Sequence, residues 1–230
     1  MPSLYEDSIR DLGTRIVSGV LEPGSVVTLE WVGREVSVSR TIAREVVQVL
    51  ASMGLVESRR RRGVTVLPRE CWDVFDPAVI RWRLDLGERR DHLAELTQLR
   101  AAVEPAACAL AASYADQEVR EELLSLAEAL ETTGAAGDLT TFLEHDVRVH
   151  RLLLGASGNS MFAGLRDVVE EVLRGRTDHD LMPREPKPEA RRLHAVVAAA
   201  VARGDGEAAR TAMTTICEEV VAGLEDVATD

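Results

Sequence analysis

Long apolar runs, paired cysteines and aromatic residues are scarce in this sequence. Aromatic residues make up only 3% of the 230 residues, although hydrophobic residues make up 46%. Ala, Leu, Val, Glu and Arg dominate, and that composition favours packed helices over a β-rich fold. No apolar run approaches the ~20 residues that cross a bilayer, and the acidic start lacks the apolar segment of a signal peptide. We therefore expect a cytoplasmic protein with no membrane partner.

The cysteines exclude further classes of protein. Cys71, Cys108 and Cys217 are widely spaced, odd in number and without a CxxC pair. We therefore expect three reduced thiols of a cytosolic protein and not a disulfide or a cysteine metal site.

Charge is distributed unevenly along the chain. The net charge is −12, but residues 1–68 hold nine Arg against eight Asp and Glu, whereas residues 69–230 hold 18 basic and 31 acidic residues. The length is sufficient for two domains that each bury a core. Because the acidity is confined to the second part, we expect the two parts to have different partners.

The first part has the element order of a winged helix-turn-helix, which we predict for residues 1–68. Ser39 is a good N-cap for the third helix, and Gly54 ends that helix. The apolar spacing and the turn residues predict three helices and then a hairpin: helices over 4–19, 29–36 and 40–53, and strands over 55–58 and 64–67.

The second part is predicted to be all-helical. Residues 69–76 form the expected linker, and a 3.6-residue apolar period follows over residues 77–230. The short loops between these helices imply an antiparallel bundle. The predicted helices of this effector-binding and dimerisation domain lie near 77–86, 90–114, 116–132, 138–156, 160–176, 187–203 and 205–226.

The third helix carries the pattern of a DNA-reading helix. Arg40, Thr41 and Arg44 share one face of its first turns, where recognition helices contact base edges. The hairpin tip adds four consecutive arginines that can reach phosphates or a minor groove. An arginine face or a basic loop alone would indicate little, but the two in this order favour DNA binding. The candidate DNA-binding residues are Arg34, Ser39, Arg40, Thr41, Arg44, Arg59, Arg60, Arg61, Arg62 and Gly63.

The segment VSRTIAREVVQVLASMGLVESRRRRGVTV, residues 38–66, resembles the winged-helix signature of the GntR family of transcriptional regulators. Two positions depart from that signature. Ile42 replaces the proline that is common after the threonine. Glu30 stands where some members carry an arginine, and this change would remove one phosphate contact.

A second constellation lies in the acidic part. Asp146 and His150 are spaced i, i+4, so they project from one helix face and could grip a divalent metal. His194 lies among apolar neighbours on a later helix. From spacing alone, the first two could equally be a coincidental surface pair, and His194 could be an ordinary core histidine.

The segments LRAAVEPAACALAA (99–112), FLEHDVRVHRLLLGASGN (142–159) and LHAVVAAAVARGDGEAARTAM (193–213) resemble the FadR C-terminal (FCD) domain. In that family an Asp-x-x-x-His pair and two later histidines line a buried metal site. The resemblance implies metal ligation by Asp146, His150 and His194. The fourth ligand is expected near position 216, where this chain has Ile216, which cannot ligate.

Two kinds of occupant are compatible with that site. Three protein ligands could hold a divalent metal, zinc or similar, with water or the effector completing its shell. Alternatively, the histidines could bind an acid directly in a metal-free pocket. The resemblance also places Arg100 and Asn159 at effector-binding positions, although Arg100 could pair with Glu104 and Asn159 could be a helix cap.

The resemblances predict a homodimeric regulator, more often a repressor, that binds double-stranded operator DNA. Its expected effector is a small carboxylate, and WDVFDPAVIRWRLDLG (72–87) resembles segments of gluconate and galactonate regulators, which suggests a sugar acid. Two alternatives come from other classes: a metalloenzyme that uses the Asp146, His150 and His194 site, and a constitutive DNA-binding protein whose helical domain only dimerises.

Overall fold

The computed structural model describes residues 4–86, 89–178 and 188–226. Contacts divide the chain into two compact units, Met1–Arg89 and Arg90–Asp230. The first unit is a winged helix and the second is built from helices, which confirms the predicted mainly α fold class.

The first unit contains four helices and a small antiparallel sheet among its described residues. The sheet order is β1-β3-β2, and Val56 pairs with Val66 and Arg59 with Gly63 across the hairpin. Strand β1 has only two residues, too few to produce an alternating pattern, and the sequence analysis did not predict it. The elements are α1 (Leu4–Val17), β1 (Val26–Val27), α2 (Leu29–Glu35), α3 (Arg40–Ser52), β2 (Val56–Arg59), β3 (Gly63–Val66), a 3-10 turn (Arg69–Cys71) and α4 (Pro77–Leu84).

Helix α4 belongs to the first unit, although its sequence was assigned to the second. Asp76 caps its N-terminus by accepting from Ala78 N at 2.8 Å, and Trp82 is only 4% exposed within the core of the winged helix. The Trp82 ring lies against Gly13 of α1 so closely that a Cβ there would approach it within 2.2 Å. This packing moves the division from the predicted linker, 69–76, to residue 89.

The second unit follows the predicted helices with small differences. The helix expected over 160–176 is two helices, because α8 ends at Gly164, Leu165 is its C-cap and α9 begins at Arg166. Its elements are α5 (Arg89–Tyr114), α6 (Gln117–Ala136), α7 (Leu139–Gly155), α8 (Ser160–Gly164), α9 (Arg166–Asp178), α10 (Pro188–Arg203) and α11 (Gly206–Asp226).

Among the described residues, helices of the second unit pack around two apolar cores. Helix α6 lies against α7 and α10, α7 against α9, and α10 against α11. Arg120 joins two of the helix ends: its guanidinium donates to Ala112 O of α5 at 2.8 Å and to Ala202 O of α10 at 3.1 Å. These carbonyls have no partner within their own helix, so Arg120 satisfies both C-termini. No helix in the described ranges combines the length and apolarity that crossing a membrane requires.

Candidate functional sites

A buried acid–imidazole cluster lies inside the second unit. Asp146 and His150 come from one face of α7, and His194 comes from α10. All three are buried, at 6%, 1% and 5% exposure. Each offers a ligand atom within 4.8 Å of the other two. The structure therefore brings together the three residues that the resemblance implied as metal ligands.

An oxygen lies beside Nδ1 of each histidine ring. His194 Nδ1 lies 2.7 Å from Ala190 O, and His150 Nδ1 lies 2.7 Å from Glu104 Oε2. A carbonyl oxygen can only accept, so Nδ1 of His194 donates to Ala190 O. The contact of His150 Nδ1 with Glu104 lacks hydrogen-bond geometry and is an ion pair when the ring is protonated. A carbonyl oxygen behind the ring orients His194 for metal binding through Nε2.

Nε2 of each histidine lies near the same carboxylate oxygen, Asp146 Oδ1. His194 Nε2 lies 3.0 Å from Asp146 Oδ1, and His150 Nε2 lies 3.5 Å from the same oxygen. Neither Asp146 Oδ1 nor His194 Nε2 has a hydrogen-bond partner of ordinary geometry among the described residues. Acceptor atoms this close repel unless a proton or a cation lies among them. One carboxylate oxygen and two imidazole nitrogens are a suitable donor set for a divalent cation such as zinc.

Glu104 and Arg100 extend the cluster along α5. Arg100 Nε and Nη2 donate to the two oxygens of Glu104 at 2.7 and 3.3 Å, and both side chains are buried. Burial opposes ionisation of Glu104, but the charges of Arg100 and His150 outweigh it and lower the Glu104 pKa to about 2. Burial likewise opposes protonation of His150, whereas Glu104 and Asp146 raise the His150 pKa to about 9. Arg100 therefore forms an ion pair with Glu104. The sequence had left this pairing open as the alternative to a ligand-binding role for Arg100.

Arg100 nevertheless has one donor that Glu104 does not engage. Its Nη1 atom is buried and has no hydrogen-bond partner among the described residues. Glu104 engages Nε and Nη2 of the same guanidinium. A buried N–H of a charged group is costly when it is left unsatisfied, so this donor is suited to an anionic group of a ligand.

Two further residues near the cluster were missed by sequence reasoning. Burial and the neighbouring charge of Arg100 lower the Arg176 pKa to about 10, while Asp146 acts in the opposite direction. Burial and the charge of Glu104 raise the Cys217 pKa to about 12. Arg176 lies half-buried in the last turn of α9, where an arginine is an ordinary helix-terminal residue, and the sequence carried no signal of its position near the cluster.

Two other predicted positions have structural roles. Asn159 follows the end of α7 and caps α8, because its Oδ1 accepts from Met161 N at 2.9 Å. This capping role explains the asparagine at position 159 without any contact to an effector. Ile216 is 6% exposed and packs in the larger core of the unit.

The predicted DNA-reading residues of α3 lie on its exposed side. Ser39 caps the helix by accepting from Ile42 N at 3.3 Å, so its hydroxyl already has a structural task. Arg40, Thr41 and Arg44 are exposed, while Ala43, Val46, Val47 and Leu50 anchor the opposite face in the core. Arg40 Nη2 lies 3.1 Å from Glu30 Oε1 on α2. Arg34, also on α2, is exposed.

The wing presents its four arginines to solvent. Arg59, Arg60, Arg61 and Arg62 are all exposed at the tip of the β2–β3 hairpin. Arg61 has a positive φ of 66° and Gly63 one of 93°, so the tip turns sharply. A Cβ at Gly63 would lie 2.7 Å from Val27 O, which explains the glycine there. Glu57 pairs with Arg59 at 2.9 Å.

Comparison with known families gives two matches that together follow the two units. The family described as bacterial regulatory proteins, gntR family, matches residues 4–66. The FCD domain matches residues 95–219, more than half of the chain. These matched ranges include α3, the wing and all three residues of the buried cluster.

Curated relatives resemble the chain over most of its length. The galactonate operon transcriptional repressor of Escherichia coli (strain K12) is 29% identical over 219 residues, which span 94% of each chain. The HTH-type transcriptional regulator LutR of Bacillus subtilis (strain 168) is 27% identical over 220 residues, covering 90% of this chain and 96% of that protein.

Solved structures show the same fold. The Lar protein, which controls expression of the Listeria monocytogenes agr system, has a TM-score of 0.65 at 18% identity, covering 99% of both chains. E. coli McbR/YncC has a TM-score of 0.54 at 19% identity over 99% of both.

Proposed function

Since the chain belongs to the gntR family of bacterial regulatory proteins and carries an FCD domain, we propose that it is a repressor controlled by a small carboxylate. The family and its relatives are transcriptional regulators and not enzymes. The finer steps of the proposal concern which residues read DNA, which residues hold the effector and how the two events are linked.

DNA reading is assigned to α3 and the wing. The exposed fork of Arg44 can pair with guanine or grip a phosphate, and Arg40 and Thr41 share its face. Arg59–Arg62 supply phosphate contacts beside the groove. The chain acts as a homodimer on a near-palindromic duplex, because protein two-fold symmetry is mirrored in the operator. Its place of action is the cytoplasm, where that duplex is found.

Effector sensing is assigned to the buried cluster of the second unit. The observation that carries this step is the convergence of Asp146 Oδ1 and His194 Nε2 at 3.0 Å, two acceptors without a hydrogen-bonded partner among the described residues. A divalent metal held by Asp146, His150 and His194 would supply a positive centre for a carboxylate. The spare Nη1 donor of Arg100 would hold the same anion.

The effector class proposed is a sugar acid. A relative that matches along 94% of this chain is a galactonate operon repressor, and a polyhydroxylated acid combines a carboxylate with hydroxyl donors. Binding in the second unit would favour one arrangement of the two DNA-reading heads, a coupling of roughly 1–3 kcal/mol. A protein whose helical domain only dimerises would show no such coupling.

The test begins by selecting bound duplexes from a random-sequence pool with the wild-type dimer. Affinity for the recovered duplex is then measured with galactonate, gluconate and size-matched neutral sugars. We expect an aldonic acid, and no neutral sugar, to weaken binding. Asp146→Asn should bind the duplex normally but lose the response, whereas His145→Ala, one position earlier on α7, should keep both. A wild-type protein that ignores every acid would contradict effector control.

A further inference from the structure

The first unit contains an acidic residue on its DNA-reading side. Glu30, in the first turn of α2, pairs with Arg40 at the start of α3 through Oε1 and Nη2, 3.1 Å apart. Both side chains remain accessible, at 58% and 68% exposure. We propose that Glu30 determines sequence specificity by orienting Arg40 for base recognition. This inference rests on the proposed DNA-binding function of α3.

The backbone holds the two residues in a fixed relationship. Thr28 caps α2 by accepting from Trp31 N at 3.1 Å, and Ser39 caps α3. Between the helices, Val38 N donates to Gly33 O at 2.8 Å. Glu30 and Arg40 therefore lie in the first turns of two capped helices, and a hydrogen-bonded turn connects these helices.

Glu30 supplies a negative charge that the first turn of α3 lacks. The first turn of α3 contains no acidic residue, although the N-terminus of a helix favours negative charge. Arg40 and Arg44 are spaced i, i+4, where like charges repel. Glu30 lies near Arg40 and offsets both effects from the neighbouring helix. An exposed ion pair contributes little to the free energy of folding. The effect of the Glu30–Arg40 pair is therefore on the orientation of the Arg40 guanidinium.

At a DNA surface the same pair favours discrimination over affinity. A carboxylate beside the groove repels phosphates, which weakens binding to every sequence. Glu30 Oε1 lies beside Nη2 of Arg40. Nη2 carries two hydrogens and belongs to both paired-donor edges of the guanidinium, so one edge remains for a base. Guanine recognition by arginine requires a defined direction of approach. A held guanidinium meets that requirement, whereas a mobile one can contact any nearby phosphate.

The experiment compares Glu30→Gln with wild type on two duplexes. One is the duplex recovered by selection with the wild-type dimer, and the other is a scrambled duplex of the same length and composition. Glu22→Gln is the matched control, because it removes one charge from an exposed turn of the same unit. The same substitution is also made in an Arg40→Ala background, and circular dichroism checks folding.

We expect Glu30→Gln to lower the ratio of specific to scrambled affinity by about fivefold or more, mainly through tighter scrambled binding. Glu22→Gln should leave that ratio unchanged, and the effect of Glu30→Gln should vanish in Arg40→Ala. Equal tightening on both duplexes would show that Glu30 acts only through its net charge and would overturn the proposal. An unchanged ratio, or an effect that persists without Arg40, would overturn it too. A wild-type protein that selects no sequence would instead refute the DNA-reading assignment on which this inference rests.

Discussion

Asp146 Oδ1 and His194 Nε2 lie 3.0 Å apart on two different helices, and on the far side of the same ring His194 Nδ1 lies 2.7 Å from Ala190 O. A carboxylate oxygen and an imidazole nitrogen this close in a buried site are stable only with a proton or a cation between them. This contact is the basis for predicting a bound cation in the second unit.

We predict that the protein binds one zinc ion per chain at this cluster. Asp146→Asn and His194→Ala should each weaken binding by about tenfold or more, because the first removes the negative charge of a ligand and the second removes a ligand atom. Isothermal titration with zinc chloride measures this. His145→Ala, also on α7 but outside the cluster, is the matched control. Equal affinity in all four proteins would place any bound zinc elsewhere.

We predict that Ile216→His raises zinc affinity by about tenfold or more, because it would add a fourth protein ligand. Its neighbour Cys217 is close enough to Glu104 and Arg100 for their charges to affect its pKa, so α11 passes beside the site. Cobalt absorption spectra report the change in coordination directly. Ile216→Val should leave the spectrum unaltered, and an unaltered Ile216→His spectrum would show that position 216 faces away.

We predict that Arg44→Ala abolishes sequence-specific binding and leaves the fold intact. Arg44 is exposed on α3, and its loss should remove roughly 1–3 kcal/mol of base discrimination or an essential phosphate contact. Gel-shift or fluorescence titration at matched salt gives the affinity. Arg10→Ala, on the exposed side of α1, should bind normally. Affinity of Arg44→Ala within about twofold of wild type would refute the assignment of α3 as reading helix.

We predict that replacing Arg59–Arg62 with alanine weakens binding to all duplexes and flattens its salt dependence. Removing one arginine–phosphate interaction should reduce the log–log slope by about 0.9. The slope is obtained from affinities over a range of potassium chloride concentrations, with the Arg10→Ala protein as reference. A slope equal to that of wild type would mean that the wing tip does not touch the DNA backbone.

We predict that Gly13→Ala destabilises the first unit by about 1–3 kcal/mol, since its Cβ would enter the ring of Trp82 and overpacking carries a cost of that size. Urea unfolding measures the change. Gly164→Ala is the control, because no atom lies within 4 Å of its added Cβ. It should be neutral or stabilising by up to about 1 kcal/mol. A Gly13→Ala protein as stable as wild type would mean that α4 does not pack as described.

The elements with local signals were predictable from sequence. Ser39 caps α3 and Gly54 follows it with a positive φ of 72°, as expected of a helix start and end. The i, i+4 spacing of Asp146 and His150 placed them on one face of α7. Their convergence with His194 came from family resemblance, because no periodicity reports which helices face each other.

The features that sequence missed depend on tertiary packing. The role of Trp82 could not be read from α4, since its partner is a glycine on α1 that contributes no side chain. In the sequence, Arg176 resembles any helix-terminal arginine. In the folded unit, burial and the charge of Arg100 lower its pKa to about 10. The division of 160–176 into α8 and α9 at Leu165 has no proline to mark it.

The position of α4 also sets a rule for engineering chimeric regulators. A fusion that kept only residues up to the predicted boundary at 68 would discard Trp82 and leave the face of α1 around Gly13 open to water. The DNA-reading half would then be poorly folded even though every base-contacting candidate was retained. A recombinant exchange of sensors should therefore be joined beyond Leu84, the end of α4.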